Sequence, residues 1–219
     1  MSGGFLIAVD GPAASGKGTI AEGLARFYGY PCLDSGLLYR AVAAAVLARG
    51  GDLEDADAAA QAAVALRADQ LENPALRTRE AGEAASRVAV HPSVRAALLD
   101  FQRAFAAQRP GAVVDGRDIG TAIAPWAPAK LFVTASPETR ATRRWRQLEG
   151  QGQTTSFDDI LSDIRRRDER DSGRAASPLV MAKDAVLLDT TEMTIDQAAD
   201  AARRIVETAR GRWARTQSG

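Results

Sequence analysis

The segment Phe5-Leu6-Ile7-Ala8-Val9-Asp10, followed at once by Gly11-Pro12-Ala13-Ala14-Ser15-Gly16-Lys17-Gly18-Thr19, decides the fold. The first six residues are too few for a helix, and their nearly continuous apolar character suits a strand covered on both faces, as in a parallel sheet. The next nine follow the pattern G-x-x-x-x-G-K. Glycines so placed let backbone N–H groups cradle phosphate oxygens at a helix N-terminus, and the lysine reaches the β/γ-phosphates. The usual Ser/Thr after the lysine is Gly18 here, with Thr19 one position later, which displaces the hydroxyl that ordinarily meets magnesium. A glycine-rich turn without a ligand is the bland alternative. A dinucleotide fingerprint fits less well, because Gly11, Gly16 and Gly18 lack the G-x-G-x-x-G spacing. The expected ligand is a nucleoside triphosphate held by Gly11 to Thr19.

Four more short apolar runs lie downstream: Tyr30–Asp34, Ala112–Asp115, Lys130–Thr134 and Ala185–Asp189. Four of the five runs end in Asp, and ligands in open α/β sheets bind at the carboxyl ends of strands. Helical stripes fill the gaps: Ile20, Leu24, Phe27; Leu38, Val42, Ala45, Val46; and Val94, Leu98, Phe101, Phe105. Ser136-Pro137 reads as an N-cap with proline at the first helical position, and Ser156/Asp159 and Thr194/Gln197 read as capping boxes. Strand–helix alternation predicts an α/β phosphate-loop fold with a five-stranded parallel sheet flanked by helices. One domain is expected over 1–219. Its core spans about 1–50 and 108–210, with an insert at about 51–107, a lid at about 148–172 around the linker 150–155, and a frayed tail at 211–219.

Composition mainly excludes. With 28 Lys+Arg against 28 Asp+Glu the net charge is zero, so a generally basic nucleic-acid or membrane-surface binder is not expected. A content of 46% apolar residues supports a substantial core. The single cysteine, Cys32, excludes an intrachain disulfide or a cysteine-based metal site, and is itself read as buried in a strand and inert. The lone histidine, His91, is read as a helix-entry residue before Pro92. Trp126 is placed under the loop after the third strand. Met1–Phe5 lacks the basic region of a secretion signal, and no apolar stretch approaches bilayer length, so a cytoplasmic monomer is expected.

Chemistry must then come from elsewhere. Arginines sit in strand-end loops: Arg40 in DSGLLYR, Arg117 in DGRD, and a series running to Arg174. Nine arginines lie between Arg140 and Arg174 among seven carboxylates. Most suit a solvated, ion-paired helix face, and Arg140, Arg165 and Arg166 are assigned there. Arginines in strand-end loops differ, because their planar forks match phosphate oxygens and phosphoryl transfer depends on positioning and charge neutralisation.

The runs GPAASGKGT, LDSGLLYR, EAASRVAVHPSVR, VVDGRDIGT and RRRDERDSGRAASPL, in this order across most of the chain, resemble bacterial cytidylate kinases. The phosphate loop alone is common to nucleoside monophosphate kinases; its combination with DSG-x-x-YR and DGRD is far more specific. The resemblance implies transfer of the γ-phosphate of ATP, with Mg2+, to CMP or dCMP. It implies that Gly11 to Thr19 hold the ATP phosphates, and that Lys17, Arg117, Arg170 and Arg174 act on the transferring group. Arg40, Arg117 and Arg174 would grip the acceptor phosphate. Ser86, Arg95 and Asp118 would face the cytosine edge, Arg167 and Asp171 the ribose, and Ser35 is a further acceptor-binding residue. Cytosine agrees chemically: its exocyclic amine needs an acceptor such as Asp118 or Ser86, and its N3 and O2 need a donor such as Arg95. Asp34 or Asp115 is a candidate for a magnesium-bound water.

The insert departs from the family. Members often carry a longer one rich in strand-like runs, whereas Leu66–Pro74 is short and without alternation, so little or no sheet is expected there. Two other readings stay open: a phosphate-loop kinase for a different small acceptor, and a regulator using ATP as a conformational signal. An RNA-binding protein is disfavoured by zero net charge.

Overall fold

A computed structural model, described for residues 4–150 and 152–217, forms the apolar runs into strands β1 (Phe5–Asp10), β2 (Cys32–Asp34), β3 (Gly111–Gly116), β4 (Ala129–Thr134) and β5 (Val186–Asp189). Their spatial order is β2-β3-β1-β4-β5 in a parallel sheet. Every residue of β1 and β3 is buried, which is why neither alternates in sequence. The register sets Asp10 opposite Gly116 on one side and Phe132 on the other. The chain therefore leaves β1 and β3 side by side at the carboxyl edge.

Helices α1 (Lys17–Tyr28) and α8 (Ile195–Gln217) close one face of the sheet. Phe5, Ile7 and Val9 pack with Leu131 and Val133 against Ile20 and Leu24 of α1 and Ala202 and Val206 of α8. Phe27 does not join its expected stripe. It is 57% exposed and lies under the Arg203 guanidinium, 5.2 Å from ring centroid to Cζ. The expected tail is instead helical as far as Gln217, because Trp213 meets the edge of Phe5 with ring centroids 5.4 Å apart. Residues 218 and 219 lie outside the described residues.

Helices α6 (Pro137–Gly150) and α7 (Phe157–Gly173) pack through Ala141, Leu148, Ile160 and Ile164. The caps fall where the sequence places them: Ser136 Oγ accepts from Thr139 N, Ser156 Oγ from Asp159 N and Thr194 Oγ1 from Gln197 N. The linker 150–155 includes residue 151, which lies outside the described residues.

The described chain separates into two compact units, one holding the positions up to Cys32 together with those from Ala106 onward, the other Leu33–Phe105. The second unit takes in α2 (Ser35–Ala48) ahead of α3 (Ala56–Val64), α4 (Arg79–Val88) and all but the last residue of α5 (Pro92–Ala106). Buried Leu38, Val42 and Val46 of α2 give it a core of its own with Ala59, Ala62, Ala85, Val88, Val94 and Leu98. No strand occurs between Ser35 and Phe105; Ala68–Glu72 and Pro74–Arg77 are short 3-10 turns. Phe101 is 40% exposed and the adjacent Gln102 is buried instead, its amide donating to the Leu98 carbonyl one turn back. Two more sequence readings fail. Cys32 is exposed on its three-residue strand, and Trp126 is 55% exposed.

Candidate active site

The phosphate loop begins where Gly11 leaves β1. A Cβ at Gly11 would stand 2.0 Å from the Val133 carbonyl oxygen, and its φ is +154°, so only glycine lets the chain pass β4 this closely. Two carbonyls of the loop are then tied down from behind. Ala13 O accepts from Arg140 Nη1 at 3.2 Å, and Ser15 O accepts from Thr190 Oγ1 at 3.3 Å and Arg143 Nη1 at 3.5 Å. In a trans peptide the N–H points opposite to the C=O, so these bonds turn the amides of Ala14 and Gly16 to the other side of the loop. Left-handed backbone at Ala14 (φ +59°) and Gly16 (φ +87°) makes the alternation that gathers amides into an anion-binding concavity. Ser15 Oγ is buried within the loop with no protein hydrogen-bond partner.

Lys17 opens α1 immediately after Gly16, and its ammonium lies 3.9 Å from Asp115 Oδ2 at the end of β3. Thr19 is exposed on the first turn of the same helix. Asp34, the other magnesium candidate, caps α2 by accepting from Gly36 N at 2.8 Å. Among the described residues no group of three or more His, Cys, Asp or Glu side chains is placed to hold a metal ion.

Asp10, the last residue of β1, fixes the neighbouring turn. Its two carboxylate oxygens accept from Ile119 N at 2.8 Å and Gly120 N at 2.7 Å. Burial pushes its pKa up to about 6 against the pull of those amides. The π-helical turn Ile119–Ile123 is thereby held beside the phosphate loop, and with it buried Asp118, whose side chain makes no cap bond to that turn.

Arg117 leaves this turn toward α7. Its Nε donates to Asp171 Oδ2 at 2.8 Å, and Arg167 and Arg174 also surround that buried carboxylate. Desolvation pushes Asp171 toward protonation, but the Arg117, Arg167 and Arg174 charges outweigh it and hold its pKa below the usual carboxylate value. Of the expected site residues, the structure brings Arg117, Arg167, Asp171 and Arg174 together. Arg170 is half-buried on the same helix.

Ser35, Arg40, Ser86 and Arg95 belong to the Leu33–Phe105 unit. Ser35 and Ser86 are buried on α2 and α4. Arg40 Nη1 donates to the carbonyls of Leu76 at 2.7 Å and Thr78 at 2.9 Å, pinning the chain between the second 3-10 turn and α4. Arg95, 8% exposed, lies over the Tyr39 ring at 5.5 Å and donates to Ala89 O at 3.3 Å. His91, whose Nε2 lies 2.8 Å from Leu53 O, stands at the entry of α5.

Sequence reasoning missed Arg140, Arg143 and Asp10. Arg140 is not on a solvated face: it is 3% exposed, and its guanidinium meets the Asp168 carboxylate with both Nη atoms. Charge interleaving hid it, since an arginine among carboxylates reads the same whether solvated or enclosed. Arg165 does lie on the surface, paired with Glu138 at 2.9 Å. For Asp10 the signal was present in the recurrence of Asp at strand ends.

Amides, an ammonium and guanidinium groups assembled at one edge of a parallel sheet suit phosphate in transit, and the class they define is the phosphate-loop kinase. Residues 7–208 match the family described as cytidylate kinase. The chain is 66% identical to a cytidylate kinase of Caulobacter sp. (strain K31), covering 95% of this chain and 97% of the relative. It is 62% identical to that of Xanthobacter autotrophicus, covering 94% and 99%. The chain belongs to the cytidylate kinase family. Among solved structures, a gluconokinase from Sinorhizobium meliloti 1021 shares the fold at TM-score 0.51 and 16% identity, over 97% of each chain. An uncharacterized protein from Eubacterium ventriosum does so at TM-score 0.52 and 15% identity, over 93% and 98%. Among the described residues no helix is long and apolar enough to cross a membrane.

Proposed function

We propose that this protein transfers the γ-phosphoryl group of ATP to CMP or dCMP, giving ADP and CDP or dCDP. The observation that carries the reading is the Arg117–Asp171 cluster beside the phosphate loop, in a chain of the cytidylate kinase family. The inward amides of Gly11 to Thr19 and the Lys17 ammonium receive the ATP phosphates, and the buried Ser15 hydroxyl gains a partner when a phosphate oxygen arrives. Mg2+, carried in with ATP, supplies further neutralisation of the phosphate charge. Asp115, already facing Lys17, suits an outer contact to its water, and Asp34 suits it less because an oxygen of its carboxylate is engaged as a helix cap.

Arg117 and Arg174, with Arg40, grip the acceptor phosphate, and Arg170 stands by the transferring group. Asp171 stays ionised at neutral pH and accepts a hydrogen bond from a ribose hydroxyl, with Arg167 beside it. Asp118, Ser86 and Arg95 read the cytosine edge, and Ser35 belongs to the acceptor-binding set. Uracil would turn a carbonyl toward the same carboxylate and leave buried polar groups unpaired, which discriminates strongly. The acceptor phosphate is already anionic at pH 7, so the step needs no general base. Catalysis is positioning and charge neutralisation. A kinase for a different acceptor and an ATP-binding regulator are not favoured.

An acceptor panel of CMP, dCMP, UMP and AMP, followed by coupled ADP release, tests this. Turnover on the order of 1–100 per second with CMP or dCMP is expected. ADP release no faster with CMP or dCMP than without an acceptor would overturn the reading.

A further inference from the structure

The geometry points to Arg140, paired with Asp168, as a positioning residue that sets α7 against the phosphate loop and so aligns acceptor with donor. Its guanidinium touches three separate stretches of chain. Nε donates to Ala135 O at 2.9 Å, between β4 and α6. Nη1 donates to Ala13 O at 3.2 Å, in the phosphate loop, and to Asp168 Oδ1 at 3.0 Å. Nη2 donates to Asp168 Oδ2 at 2.5 Å. The fork is planar and rigid, so these partners cannot shift independently.

Asp168 follows Arg167 directly and stands one helical turn before Asp171. The groups proposed to hold the acceptor ribose and phosphate are therefore built on the residue that Arg140 grips. At its other end the same cation holds the carbonyl of Ala13, whose peptide plane turns the Ala14 amide inward. One buried side chain thus fixes an ATP-binding amide and the register of the acceptor-gripping helix together. Arg140 is enclosed, 3% exposed, and the role assigned to it is indirect, acting through Ala13 and Asp168. In-line transfer tolerates little misplacement, and an error of about 1 Å can cost on the order of 100-fold in rate.

The inference rests on the proposed phosphoryl transfer, and the two can fail separately. The wild-type enzyme with ATP and CMP reports on the reaction itself, whereas the ratio of variant to wild type reports on Arg140. The variants are Arg140→Gln, Asp168→Asn and both together, assayed as purified full-length folded protein, with KM for each substrate and kcat measured separately. A positioning role predicts that kcat falls at least about tenfold in each single variant while both KM values stay within about threefold. It also predicts that the double variant loses no more than the worse single one, since both changes break the same strut. Arg140→Lys keeps the charge but cannot span three acceptors, and should not restore kcat. A role confined to stability would lower the melting temperature and leave kcat per folded molecule near wild type; that result, a change in KM alone, or full additivity overturns the proposal. Should Arg140→Gln fail to fold, the near-isosteric Asp168→Asn decides by its kcat alone.

Discussion

Arg117 Nε stands 2.8 Å from Asp171 Oδ2, a charge pair joining the turn after β3 to the last turns of α7, with both side chains largely closed to solvent. Arg117→Ala removes one member, yet Arg167 and Arg174 remain about the carboxylate, so the fold should survive. Turnover with CMP should fall by about 100–1,000-fold with weakened acceptor affinity, the scale of losing one charge-stabilising donor. ATP affinity, measured by calorimetry without acceptor, should stay within about threefold of wild type.

Asp118 is 5% exposed and its side chain is not used to cap the turn it opens. Asp118→Asn can turn an amide donor to where only acceptors stood, which costs CMP the acceptor for its exocyclic amine and eases the mismatch with the uracil carbonyl. The ratio of kcat/KM for CMP over UMP is expected to drop by at least about tenfold.

The glycines of the phosphate loop should differ sharply. Gly11→Ala drives a Cβ into the backbone of Val133, whereas a Cβ at Gly18 meets nothing within 4 Å. Gly11→Ala should weaken ATP binding more than tenfold and lower the melting temperature. Gly18→Ala, inside the first turn of α1, should leave the melting temperature unchanged or raised, because alanine is favoured in helices by up to about 1 kcal/mol. Thermal unfolding with and without ATP separates the two.

Asp10 supplies a pH signature. Folding raises its pKa from 3.8 to about 6, so between those values the folded chain holds a proton that the unfolded chain has released. Its contribution to stability is full below 3.8 and is lost as pH rises through about 6, an effect on the order of 2–3 kcal/mol. Asp171 acts in the opposite sense: its depressed pKa gives stability present above 3.8 and lost as pH falls through the folded value. Denaturant unfolding of wild type and Asp10→Asn from pH 4 to 8 checks this. Wild-type stability relative to the variant should decline across pH 4–6.5 and level off above.

The sheet was legible because buried parallel strands leave continuous apolar runs, and all five begin and end within about two residues of the expected positions. The phosphate loop was legible because amide cradling needs glycine at set spacing. Legibility stopped where one residue type serves two environments. Arg140 and Arg165 look alike in an arginine-rich run, yet the first is enclosed between the phosphate loop and Asp168 and the second pairs with Glu138 at the surface. Periodicity likewise could not say that Phe27 and Phe101 fall just outside their buried arcs, or that Gln102 falls inside one by bonding its own helix. Cys32 was misplaced because apolar neighbours say nothing about whether a short strand lies at the sheet's margin.

That misplaced cysteine has a practical consequence. It is the chain's one thiol, it faces outward, and it is the last residue before the boundary between the two compact units. A maleimide fluorophore can therefore be attached at a single known point in the native sequence, giving a spectroscopic reporter that requires no mutation at all.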